Sequence, residues 1–164
     1  MIRRRVKRAR NGTFELRIPA DERDLLRSLG PQMRSVLSQD GGPDKAVDRL
    51  FPVAYPTDED RQTEYRLLVH GELLESHLGA LAVLEETADA DRLDADQLSA
   101  WMRAVNEVRL VLGTRLGVTE DGEERPADAR HPLAPSFAVY DYLTYLQGEI
   151  IDALSAAHDP GGED

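Results

Sequence analysis

Two histidines, His70 and His77, lie seven residues apart in a stretch with helical spacing, so they share a helix face. Histidines on one helix can ligate zinc, but seven residues separate these two by about 10 Å along the axis. A single ion holds its ligands at about 2 Å. No His-x-x-x-His or Glu-x-x-His pair accompanies them, so the expectation is an ordinary helix-surface role and no metal site. Carboxylates are plentiful: Glu85-Glu86, Asp89 with Asp91, Asp94 with Asp96, and Glu120-Asp121. Paired carboxylates perform acid–base chemistry when a cleft drives their pKa values apart. These cluster at expected helix ends and loops, where solvation is the plainer role. No glycine-rich phosphate loop follows a strand, no Gly-x-Ser-x-Gly occurs, and there is no cysteine. The chain therefore offers no catalytic residue, no cofactor-binding residue and no thiolate chemistry, and is expected not to be an enzyme.

Binding chemistry is better represented. In the segment from Trp101 to Gly117, the apolar stripe is expected to use Val105, Val108, Leu112 and Leu116. Asn106, Arg109 and Gly113 fall on an adjacent stripe. Glycine inside a helix costs about 1 kcal/mol relative to alanine, so Gly113 asks for a reason. Either another helix comes close there, or Arg109 anchors a partner's carboxylate. Farther on, Tyr140, Tyr142 and Tyr145 cannot all face one core, and at least one phenol should reach the surface, where tyrosine suits an interface. Asn106, Arg109, Arg115, Tyr142 and Tyr145 are thus the candidate partner-binding residues. A separate candidate set, Arg3, Arg4, Arg5, Lys7 and Arg8, could meet nucleic-acid phosphates.

The elements that position these residues follow from pattern. Residues 2–18 read as a β-hairpin, with Phe14, Leu16 and Ile18 alternating with Glu15 and Arg17. Asn11-Gly12 favours a two-residue type I′ turn. A helix follows, with Asp21, Glu22 and Asp24 in its first turn and a kink or break expected at Gly30-Pro31. Residues 44–50 could form a short helical turn burying Leu50 and Phe51. Thr57 before Asp58-Glu59-Asp60 marks the start of a helix to about Thr87, with Leu67, Leu74, Leu78, Leu81 and Leu84 as its buried candidates. Asp94 with Gln97 reads as a capping box for the next helix, which Gly117 can end. Residues 118–135, with Pro126, Pro132 and Pro135, read as a loop, and the last helix spans about Ser136 to Ala156. The fold class expected is mainly α: three long helices and a kinked N-terminal helix, with an N-terminal hairpin and strands confined to the first 20 residues. One domain, 1–157, precedes a disordered tail, 158–164.

The chain has 164 residues, 41% hydrophobic and 5% aromatic. That length suits one core, built mostly from Leu, Val and Ala. Charge is divided: residues 1–34 carry ten basic and four acidic side chains, net +6, whereas residues 35–164 carry ten and 27, net −17. A basic end on an acidic body argues against nucleic-acid binding by the whole surface but leaves DNA contact open at the hairpin. The same arm could dock on the acidic body of its own or a second copy, and a homodimer through the hairpin or the tyrosine-rich helix is expected. No signal peptide or membrane span is readable, so the chain is expected to be cytoplasmic, with no membrane partner.

The run Asn106-Glu-Val-Arg-Leu-Val-Leu-Gly-Thr-Arg-Leu-Gly117, with Tyr140-Asp-Tyr-Leu-Thr-Tyr-Leu-Gln-Gly-Glu149, Leu50-Phe51-Pro52 and Tyr55-Pro56, resembles an actinobacterial domain-of-unknown-function family. That family includes the actinomycete oxidative-stress regulator AosR. The resemblance covers nearly the whole chain. It implies a non-enzymatic regulator of transcription that binds a protein partner, a sigma factor first. It also suggests, as an alternative, an adaptor linked to ClpS and Clp proteolysis. Redox sensing in that regulator uses cysteines; this chain has none, leaving Met1, Met33 and Met102 as its oxidisable sulfurs.

Overall fold

A computed structural model describes residues 3–37, 50, 56–118 and 125–157. The hairpin forms from β1 (Val6–Arg8) and β2 (Phe14–Leu16), antiparallel, with Val6 opposite Leu16 and Arg8 opposite Phe14. Its turn is not type I′. That turn needs positive φ at both central residues, whereas Gly12 has φ of 77° and no described non-glycine residue has positive φ. The connection is longer instead, closed by the Ala9 N–H donating to Thr13 O at 2.8 Å.

Helix α1 (Ala20–Leu37) continues across Gly30-Pro31 without a break. At Gly30 a Cβ would lie 2.8 Å from the Glu85 side chain, so the glycine lets α1 and α2 approach closely there. Glu85 belongs to α2 (Glu59–Thr87) and pairs with Arg34 of α1. The N-cap of α2 is Asp58, one residue beyond the expected Thr57; its side chain accepts from the Arg61 N–H. Leu81 and Leu84 are fully buried, and Leu74 and Leu78 pack on the core. Leu68, nearer the start of α2, is 78% exposed.

A short strand, β3 (Arg92–Leu93), pairs antiparallel with β2 and corrects the expectation of strands confined to the first 20 residues. Sheet order is β1-β2-β3, and Phe14 faces Leu93 across it. Pairing with β3 and packing on helices give the hairpin the support a lone pair of strands lacks. Arg23 of α1 fastens the same corner, donating to the carbonyls of Ile18 (2.8 Å), Ala88 (3.1 Å) and Ala90 (2.8 Å).

The capping box opens α3 (Ala95–Arg115): Asp94 accepts from the Gln97 N–H, and Gln97 accepts from the Asp94 N–H. Gly117, with φ of 74°, closes it in a Schellman pair, Gly117 N–H to Thr114 O and Val118 N–H to Gly113 O. Leu98, Trp101, Ala104, Val105, Val108 and Val111 are buried. Leu112 and Leu116 are only half-buried, so the stripe expected through them runs through Val111 instead. Trp101 places its indole N–H on Thr87 Oγ1 at 2.6 Å, satisfying the polar edge of a fully buried ring.

The last helix, α4 (Ala134–Ala157), starts two residues before the expected Ser136. It packs antiparallel on α3 and also lies against β1. One hydrophobic cluster joins sheet and helices, including Val6, Phe14, Leu26, Met33, Leu81, Leu93, Trp101, Leu143 and Ile150. Burying each large apolar side chain contributes roughly 1.5–3 kcal/mol. Leu50 belongs to this cluster. The expected turn at 44–49, Phe51 and the tail 158–164 lie outside the described residues. Among the described residues no helix is long and apolar enough to cross a membrane.

Candidate functional site

The face of α3 that carries Asn106, Arg109 and Gly113 meets α4. Asn106 Oδ1 accepts from Gln147 Nε2 at 3.1 Å. Arg109 Nε donates to Thr144 Oγ1 at 2.8 Å, and its guanidinium lies 5.2 Å from the Tyr140 ring centre. A Cβ at position 113 would lie 2.9 Å from Tyr140 Cε2. Residues 106, 109 and 113 therefore oppose 147, 144 and 140 in register. Of the two readings of Gly113, close approach of another helix describes the geometry. Asn106 and Arg109 are occupied by this seam, and Arg115 is an exposed residue at its end. Arg125, from the loop before α4, forks onto both Asp141 oxygens (2.6 and 2.9 Å) and holds that carboxyl below the usual aspartate range.

Another face of α4 carries a second polar network. Tyr142 O–H donates to Glu22 Oε2 of α1 at 2.9 Å. Burial, and then the adjacent Glu22 carboxylate, raise the phenol pKa. The Arg5 guanidinium clasps Glu22 through Nε (2.9 Å) and Nη2 (2.7 Å), and the Arg5 backbone N–H meets the Glu149 carboxylate at 3.0 and 3.1 Å. Arg5 holds Glu22 below the ordinary carboxylate range by that hydrogen bond, against the opposing effect of burial. Tyr145 is the surface phenol of the group, 38% exposed.

The five basic residues of the hairpin are divided. Arg3, Arg4 and Lys7 are exposed, Arg5 is held by Glu22, and Arg8 Nη1 donates to Ala156 O at 2.7 Å. Arg8 thus meets the negative end of the α4 dipole, a favourable place for a cation.

His77 corrects the expectation of a helix-surface role. It is half-buried where α2 meets α3, with Nδ1 2.5 Å from Glu107 Oε1 and Nε2 3.0 Å from Leu50 O. The Glu107 hydrogen bond raises the His77 pKa above its ordinary 6.5, against burial. Glu107 is only 3% exposed, and its Oε2 is buried without a hydrogen-bond partner. Sequence pattern hid this pair, since the two residues are thirty positions apart and each looks like a solvated helix side chain. Among the described residues no group of three or more His, Cys, Asp or Glu is placed to hold a metal ion.

An open apolar groove of about 230 Å³ runs between α1, α3 and α4. Leu25, Leu29, Met33 and Val36 form one wall, Val108, Val111, Leu112 and Arg115 the other, and Val139 of α4 an end. Periodicity marks Val108 and Leu112 of this wall as apolar stripe positions, but spacing alone does not tell an open groove from a packed core.

A family model described as Domain of unknown function (DUF2017) matches residues 3–154. Among curated proteins, the oxidative stress regulator AosR of Mycobacterium tuberculosis (strain ATCC 25618 / H37Rv) is 33% identical over 128 residues, 76% of this chain and 58% of that protein. The protein of that name from Mycobacterium leprae (strain TN) is 35% identical over 130 residues, 77% of this chain and 59% of its own length. The chain thus spans under two-thirds of the curated relatives it matches. No solved structure matches it.

Proposed function

The chain belongs to the DUF2017 family, and from that membership we propose that it is a non-enzymatic cytoplasmic regulator of the stress response that acts by binding another protein, a sigma factor first. One observation carries the regulatory reading: three-quarters of the chain is similar to proteins named oxidative stress regulators. Two features of the site support action by contact. Asn106, Arg109 and Tyr142 are engaged between helices, and among the described residues the groove between α1, α3 and α4 offers an apolar surface for a partner helix. Apolar grooves between helices are a recurrent way to seat an amphipathic segment. Contact with DNA through the hairpin has less support, because Arg5 and Arg8 are held by Glu22 and by the end of α4.

Affinity purification of the intact protein from its host, before and after peroxide treatment, tests this reading. Recovery of a sigma factor, with the reciprocal purification recovering this chain, is the expected result. Recovery of ClpS or Clp subunits without a sigma factor would replace it with the proteolytic-adaptor reading. Duplex DNA retained at low salt and released steeply as salt rises would replace it with the DNA reading.

A further inference from the structure

The His77 ring has both nitrogens facing acceptors: Glu107 Oε1 at 2.5 Å from Nδ1 and Leu50 O at 3.0 Å from Nε2. A backbone carbonyl only accepts, so Nε2 carries a hydrogen. An ionised carboxylate also only accepts, and a bare Nδ1 at 2.5 Å would set two lone pairs against each other. A proton must therefore lie between Nδ1 and Glu107. On either partner, it gives the pair one proton more than a neutral imidazole beside a carboxylate. We propose that His77 and Glu107 form a one-proton clasp joining α2, α3 and the chain at Leu50, and that losing this proton as pH rises loosens the joint, making it a pH-sensitive element of the fold.

The surroundings make that proton consequential. Glu107 is almost wholly buried and its Oε2 has no hydrogen-bond partner, so the ring is what compensates the carboxyl group. Without the shared proton, the neutral ring has one N–H for two acceptors, so either the buried Glu107 carboxylate or the Leu50 carbonyl loses its donor, a costly arrangement. Among the described residues, the charged groups acting on the ring are Glu107 and Arg103, both from α3. Arg103 opposes the protonated ring, but its guanidinium is drawn to Ser76 Oγ. A cavity of about 230 Å³ lined by Leu50, His77, Arg103, Asn106, Glu107 and Leu110 adjoins the pair and gives a route for proton exchange.

The sign follows from linkage. The folded-state pKa of His77 is raised above its ordinary 6.5. The clasp therefore contributes fully below pH 6.5, and its contribution is lost as pH rises through the raised value. The test is an NMR titration of the His77 ring in the intact chain, with urea unfolding midpoints measured from about pH 6 to about pH 9. The expected result is a His77 midpoint above 6.5 and an unfolding midpoint that falls over the same interval. In Glu107→Gln the amide can donate to a bare Nδ1 while Nε2–H still meets Leu50. The neutral ring is then the satisfied form, so His77 should titrate lower than in the wild type and the alkaline loss of stability should disappear. A wild-type His77 midpoint at or below 6.5, or an unchanged pH dependence in Glu107→Gln, would overturn the proposal. Should that variant not fold, the wild-type titration decides alone.

Discussion

A methyl group at position 113 would lie 2.9 Å from Tyr140 Cε2, closer than carbon atoms tolerate, so the α3–α4 seam depends on that glycine. Gly113→Ala should gain about 1 kcal/mol of helix propensity and lose roughly 2–3 kcal/mol to the clash, a net loss of about 1–2 kcal/mol. With Tyr140→Ala in place the clash is gone, and the same substitution should stabilise by about 1 kcal/mol. Urea unfolding of the four proteins checks this, and equal effects in both backgrounds would contradict it. At this scale the sequence was legible where backbone geometry leaves a mark: the glycine inside a helix, the capping box at Asp94 and Gln97, the C-terminal Gly117. It was silent where two distant residues meet. Glu107 and His77, or Glu22 and Arg5, come together only through the packing of separate elements, and no local spacing encodes that.

The hairpin is held by more than its own ladder. Arg5 joins it to α1 through Glu22 and to α4 through Glu149, and Arg8 ties its far end to the last turn of α4. Arg5→Ala keeps the backbone bond to Glu149 but removes the forked pair, leaving Glu22 with Tyr142. The expected cost is about 1.5–3 kcal/mol, the range for hydrogen bonds to charged groups. Because Arg5 depresses the Glu22 pKa below its ordinary 4.5, this contribution is present above pH 4.5 and lost as pH falls through the depressed value. Acid unfolding curves should therefore converge for wild type and variant at low pH; a constant gap would show that Glu22 is not the linked group. The hairpin was readable from its alternation and from Asn11-Gly12, but its turn was not, since Asn11 stays out of the left-handed region. Strand β3 was invisible because two residues carry no period. On α3 the expected stripe holds at Val105 and Val108 but turns to Val111 in place of Leu112 and Leu116, because a period of 3.6 lets neighbouring apolar positions compete.

Across the molecule, the basic first 34 residues meet the acidic remainder within one chain. Arg23 reaches carbonyls at the end of α2, Arg27 pairs with Asp89, and Arg34 pairs with Glu85. Arginines of α1 thus meet the acidic body within one chain, and α4 lies along β1. A second copy through the Tyr145 face of α4 stays our proposal for a dimer; light scattering should then return twice 18.3 kDa, and the monomer mass at tens of micromolar would contradict it. We propose that the chain regulates by gripping a protein partner in the groove between α1, α3 and α4. The most direct test is a calorimetric titration of the purified chain with the host's sigma factors, repeated with Leu112→Asp, which places a charge on the groove wall at a half-buried position. Saturable one-to-one binding to a sigma factor is expected, lost in the variant while its melting temperature stays close to the wild-type value. Absence of binding to every sigma factor, or full binding by a folded Leu112→Asp, would contradict it.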